Sequence, residues 1–158
     1  MSEIKILLAN EGDAVALAEL SYSVGKMHDE AMPEYFKPTA RGEHFRIICE
    51  MLNDLEIRIF KAVCEGKICG FLCLLTPAKP RNGFIHVRTG VILNFGVDEA
   101  YRKLGIGTQL IQYAERFLLS KGIDAMELDV FIFNENARKL YEKMRYKVTE
   151  QHMFKSLN

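Results

Sequence analysis

The chain has no tryptophan, only four prolines and no net charge, since 21 Lys and Arg balance 21 Asp and Glu. A neutral chain with its basic residues scattered lacks the electrostatic footprint of a nucleic-acid binder. It has no apolar run of membrane-spanning length: Ile4–Ala9 and Phe71–Leu75 are strand-sized. No secretory leader pattern opens it, so a cytoplasmic location is expected. Cys49, Cys64, Cys69 and Cys73 lack the paired Cys-x-x-Cys spacing of a zinc site. No other His, Cys, Asp or Glu pair has that spacing, so no metal is expected. The four cysteines read as small buried thiols, with Cys69 and Cys73 on one face of a strand. Internal repeats, linkers and low-complexity tracts are also absent. What remains is 158 residues, 49% of them hydrophobic. That is enough for a single domain, 1–158, with a real core.

Periodicity orders the elements. Ile4–Ala9 reads as a strand and Asp13–Lys26 as a helix, opened by Asn10 or Asp13. Met27–Thr39, with Pro33 and Pro38, reads as a loop or broken helix. Glu43–Leu52 carries an apolar stripe of Phe45, Ile48 and Leu52. Ile57–Val63 and Lys67–Leu75 flank Glu65-Gly66, a two-residue hairpin signal. Thr76–Gly83 reads as a loop, followed by a long strand ending at Val97. The predicted order is β-α-α-β-β-β-α-β-α-β.

The join between that strand and the next helix carries the chemistry. Val91–Val97 is apolar, and beyond it Leu110, Ile111, Ala114, Phe117 and Leu118 recur at helical spacing. Between them lies Arg102-x-x-Gly105-x-Gly107. Glycines allow a tight turn and close approach to a ligand. The first amides of a helix have no internal acceptor and sit at the positive end of its dipole, an arrangement suited to phosphate. A Walker A loop is excluded because Gly-x-x-x-x-Gly-Lys-Ser/Thr is absent. Gly105-Ile106-Gly107-Thr108-Gln109-Leu110 lacks the third glycine of a dinucleotide fingerprint and lies too late in the chain.

A second segment follows. Ala125–Phe131 reads as a strand. After it comes Asn134-x-x-Ala137-x-x-Leu140-Tyr141-Glu142-Lys143, ending in Arg145-Tyr146. Ala137, Leu140, Tyr141 and Met144 form a helical stripe, with Asn134 placed to cap it. Taken in order and spacing, the two segments resemble the GNAT superfamily of acyl-CoA N-acyltransferases, most closely over residues 55–154. Arg145 stands where that family usually has the glycine ending the helix.

The resemblance implies an α/β fold: a mixed, mostly antiparallel sheet with helices on both faces. It implies an acetyl-CoA-dependent N-acetyltransferase acting on a primary amine of a small molecule or protein, by direct attack in a ternary complex. Nucleic-acid and membrane partners are not expected; dimers are common in the family. By the same resemblance, Phe95 and Val97 border a gap that admits the pantetheine arm, with Gly96 easing a bulge or close approach. Amides of Leu104, Gly105, Ile106, Gly107 and Thr108 bind pyrophosphate beside Arg102 and Lys103. Asn134 bonds the cofactor arm, and Tyr141 is the acid that protonates the departing thiolate. His28, Glu30, Glu34, His86 and Asp129 are candidates for the base, and none is singled out. The alternative is a catalytically silent acyl-CoA-binding module.

Overall fold

The computed structural model describes residues 3–77, 81–86 and 88–157. Its sheet runs in the order β1 (Ile4–Leu8), β2 (Ile57–Cys64), β3 (Lys67–Leu75), β4 (Gly90–Val97) and β5 (Met126–Leu128). Neighbours from β1 to β4 are antiparallel, and β5 runs parallel to β4. The helices are α1 (Ala14–Ala31), α2 (Arg41–Asn53), α3 (Ile106–Ser120) and α4 (Glu135–Lys143). The mixed, mostly antiparallel sheet with helices on both faces is therefore present.

Alternating side chains divide the core between the two faces. Phe60, Ala62, Leu72, Leu74 and Ile92 pack with Ile106, Leu110, Ile111, Ala114 and Leu118 of α3. On the other face, Ile59, Phe71 and Cys73 pack with Ala14, Leu17 and Ala18 of α1 and Ile48 of α2. Each fully buried Leu, Ile or Phe contributes about 1.5–3 kcal/mol of transfer free energy. The β2–β3 hairpin closes at Glu65-Gly66, with φ of 52° and 77°, the left-handed pair that matches strand twist. At the start of α1, Asn10 caps a short 3-10 turn by accepting from the Gly12 amide at 2.9 Å. Asp13 completes that cap by accepting from the Asn10 amide at 2.8 Å, and it also holds Lys61 of β2, whose Nζ donates to both carboxylate oxygens at 2.7 Å.

Two bulges break the simple alternation. Ala62 faces Gly70 and Val63 faces Ile68, which leaves Cys69 unpaired. One extra residue reverses the side-chain parity. Cys69 therefore enters the α3-side core and Cys73 the α1-side core, on opposite faces and not on the one that counting by twos gives. All four cysteines are free, and burial pushes the Cys73 thiol up to about 12. The second bulge is at Leu93, because Cys73 faces Asn94 while Leu74 faces Ile92. Gly96, the residue expected to ease a bulge, serves close approach instead: a Cβ there would lie 2.6 Å from Val24 Cγ2. That contact is where α1 crosses β4.

The remaining departures have tertiary causes. Helix α1 continues to Ala31, so Met27 and His28 are helical, and the irregular segment starts at Met32. Strand β4 begins only at Gly90. The Leu93 bulge bends it, and the β4–β5 ladder stops at Ile92–Leu128, leaving three of the seven expected residues in β5. So short an edge offers little to pair with, and residues 147–157 contain no strand. Of the expected loop Thr76–Gly83, residues 76–77 and 81–83 are irregular; 78–80 lie outside the described residues.

Candidate active site

Strand β4 runs into the glycine loop through an ordered turn. Asp98 donates its amide to the Cys69 carbonyl at 2.9 Å and accepts from the Ala100 amide at 2.9 Å. Arg102 Nε donates to the Val97 carbonyl at 3.3 Å. Lys103 (φ 64°) and Gly105 (φ 79°) are both left-handed, which swings the chain so that α3 begins at Ile106. Gly105 occupies the N-cap position and no side chain caps the helix. The leading amides, with Arg102 and Lys103 exposed beside them, form a positively polarised turn suited to an anion. At Gly107 a Cβ would lie 3.1 Å from both Leu140 Cδ2 and Phe95 Cζ. On that side of the glycine, the neighbours are protein side chains.

Beside this loop the sheet opens. Only Gly90, Val91 and Ile92 of β4 pair with β5, while Asn94–Val97 pair with β3 alone. Residues 129–134 have left the sheet, so a wedge separates them from the free edge of β4. Phe95 and Val97 direct their side chains to the α3-side core, leaving backbone along the wedge.

Helix α4 packs against this region. Asn134 caps it as the sequence predicts, its Oδ1 accepting from the Ala137 amide at 3.2 Å. Tyr141 is 7% exposed, with its ring 6.3 Å from Phe95 and 5.9 Å from Tyr146. No group among the described residues hydrogen-bonds its hydroxyl, and that oxygen is not sealed from solvent. Burial pushes the phenol up to about 12. Arg145 takes φ 69°, and the Tyr146 amide donates to the Tyr141 carbonyl at 3.0 Å. Arginine thus adopts the left-handed turn that glycine usually makes at a helix end.

The Acetyltransferase (GNAT) family model matches residues 24–146. The chain belongs to that family. A protein of Bacillus subtilis described as an uncharacterised N-acetyltransferase is 38% identical over 66 residues, 42% of each chain. This chain therefore matches less than half of that relative's length. An N-alpha-acetyltransferase of Sulfurisphaera tokodaii is 27% identical over 132 residues, covering 77% of this chain and 71% of that one. Among solved structures, a tetramutant of the BH1408 protein from Bacillus halodurans superposes with a TM-score of 0.85 at 25% identity, covering 97% and 99% of the two chains. Aminoglycoside N-acetyltransferase AAC(6')-Iy, solved with CoA, shares the fold at a TM-score of 0.77 and 20% identity, covering 99% and 95%.

Within this GNAT domain Gly107 lies against Phe95 and Leu140, Arg102 reaches the Val97 carbonyl, the Tyr141 ring lies 6.3 Å from Phe95, and Asn134 opens the helix that carries Tyr141. The structure also assembles groups that sequence reasoning missed. Lys143 and Arg145, with Thr108, Gln112, Glu115 and Met144, line a cavity of about 270 Å³ beside the loop. A signal existed in the Lys143-x-Arg145 spacing, but only the packing of α4 on α3 brings it to Thr108. Tyr146 donates to Glu115 Oε1 at 3.4 Å there, and burial with the nearby carboxylate pushes its phenol up.

The candidate bases are dispersed. Glu30 pairs with Lys26 at 3.5 Å. His86 sits 2.9 Å from Asp124, and that hydrogen bond holds the Asp124 carboxyl below its usual range. Glu34 and Asp129 are exposed, and His28 is half-buried. Among the described residues no cluster of three His, Cys, Asp or Glu could hold a metal, and no helix is long and apolar enough to cross a membrane.

Proposed function

We propose that the chain transfers the acetyl group of acetyl-CoA to a primary amine of a small molecule or protein, in the cytoplasm, by direct attack in a ternary complex. The observation that carries this reading is the wedge at β4. An uncapped helix N-terminus lies at one end of it, and the unpartnered Tyr141 hydroxyl stands beside it. The free edge at Phe95–Val97 suits the amides of the pantetheine arm, and an N–H there can stabilise the oxyanion formed on attack. The amides of Leu104–Thr108, with Arg102 and Lys103, suit the pyrophosphate. Lys143 and Arg145 offer charge to a phosphate at the nucleotide end. Asn134 spends Oδ1 on its cap but keeps Nδ2 for a carbonyl of the arm.

The chemistry follows from the charge that develops. The amine lone pair forms a C–N bond and the thioester electrons move to oxygen. Collapse breaks C–S, and the leaving thiolate takes a proton. Tyr141, held neutral by burial, is a donor for that proton. A thermal-shift experiment tests the donor assignment: CoA or acetyl-CoA at 100 times Kd stabilises by about 2.7 kcal/mol, roughly 5–11 °C for a chain of this size. NAD and ATP should do much less, and a larger shift with NAD would overturn the reading. CoA binding with no acetylated product from any amine would make the chain a silent acyl-CoA-binding module.

A further inference from the structure

The helix that crosses β4 carries one residue with an unusual setting. Val24 touches the sheet at Gly96, and His28 follows one helical turn later. His28 Nδ1 lies 2.8 Å from the Val24 carbonyl oxygen. A carbonyl only accepts, so Nδ1 carries the proton and the neutral ring has its lone pair on Nε2. Among the described residues Nε2 has no hydrogen-bond partner, and it is not sealed from solvent. Three rings hold the imidazole edge-on: Phe36 at 5.6 Å, Phe131 at 5.4 Å and Phe133 at 5.3 Å. Phe131 and Phe133 belong to the segment that departs from β4, the far wall of the wedge. Val24 touches the near wall. His28 therefore spans the mouth of the wedge on the α1 face, while Tyr141 belongs to the core on the α3 face.

We propose, resting on the transfer reading above, that His28 accepts the proton of the incoming ammonium. Nε2 takes one proton from R–NH3+, which leaves R–NH2 with a free lone pair and an imidazolium. The lone pair attacks the thioester carbon from the α1 face, and the C–S bond breaks as sulfur leaves. The second nitrogen proton balances the one delivered to sulfur, and the imidazolium returns its proton to water. The Val24 carbonyl fixes the tautomer, and the three rings fix the orientation and restrict water around the nitrogen. The titratable and charged groups on the surrounding elements include Lys26, Asp29 and Glu30 on α1, Glu34, Tyr35 and Lys37 after it, Asp129 after β5, and His152, which lies 3.4 Å from the Tyr35 hydroxyl. Among the described residues none of the carboxylates comes within 4.0 Å of a His28 ring nitrogen.

The test compares the native enzyme with His28→Phe, which fills the clasp without a base, and His28→Gln, which serves if the first variant folds poorly. Two acceptors are used: an alkylamine, protonated at neutral pH, and an arylamine, already neutral there. With the alkylamine, kcat/KM at neutral pH should fall roughly 100-fold, and the acidic limb of its pH profile should move to the alkaline side. With the arylamine the rate should be unchanged, and acetyl-CoA affinity should hold with both. Equal losses on both acceptors would indicate a packing role and overturn the proposal, as would a folded variant with native rate and pH profile. A native protein that acetylates neither acceptor nor any other amine would refute the transfer reading itself, and this inference with it.

Discussion

Replacing Tyr141 with phenylalanine separates chemistry from packing. The ring contacts with Phe95 and Tyr146 survive, and no hydrogen bond among the described residues is lost. The stability change should therefore stay within about 1 kcal/mol, roughly 2–4 °C in Tm. Turnover should respond very differently. General-acid catalysis supplies about 10²–10⁴, and a phenol pushed up to about 12 is a weak donor to a thiolate that leaves readily. The loss should therefore fall near the lower end, roughly 100-fold. It should appear equally in kcat and kcat/KM, because the proton moves only in the transition state. The assay is steady-state thiol release with saturating acetyl-CoA, alongside calorimetric acetyl-CoA affinity. The sign of the pH effect is also fixed. The folded phenol holds its proton above the unfolded value of about 10, so native stability falls as pH rises from about 10 towards 12, and the variant is spared that fall. A folded variant with native kcat would show Tyr141 to be packing alone.

Other substitutions probe the frame. Gly96→Ala would drive a Cβ to 2.6 Å from Val24 and 3.1 Å from Phe71; overpacking of this kind costs about 1–3 kcal/mol, and an unchanged Tm would contradict the α1–β4 contact. Lys61→Met takes the cation from the Asp13 carboxylate, whose side chain is 13% exposed, and leaves it the Asn10 amide at 2.8 Å. The loss should be about 1–3 kcal/mol, the range of a hydrogen bond to a charged group, and a urea midpoint equal to the native one would refute it. Gly107→Val pushes Leu140 and Phe95 aside, so acetyl-CoA affinity and Tm should fall together. Native affinity in that folded variant would contradict the loop assignment.

Much of the frame around the candidate site was legible because local rules determine it. Glu65-Gly66 closes the hairpin, Asn134 caps α4, and the stripes of α3 and α4 face the core as their spacing requires. The features that escaped depend on contacts between distant segments. Nothing local marks Cys69 or Leu93 as the bulged residue, yet these bulges set side-chain parity and end the β4–β5 ladder. The last turn of α1 is held where His28 meets Phe131 and Phe133, which lie more than a hundred residues further along the chain. Lys143 and Arg145 reach Thr108 only through the docking of α4 on α3. Gly107 looked like a residue reserved for a ligand, and on one side it is the close neighbour of Leu140 and Phe95.

Amine-dependent thiol release from acetyl-CoA, measured over a broad panel of primary amines with mass analysis of the products, tests the central claim most directly. The account predicts free CoA appearing only when an acceptor is present, in equal amount to an N-acetylated product. Release that is independent of amine, or no release over the whole panel while CoA still raises Tm, would contradict it.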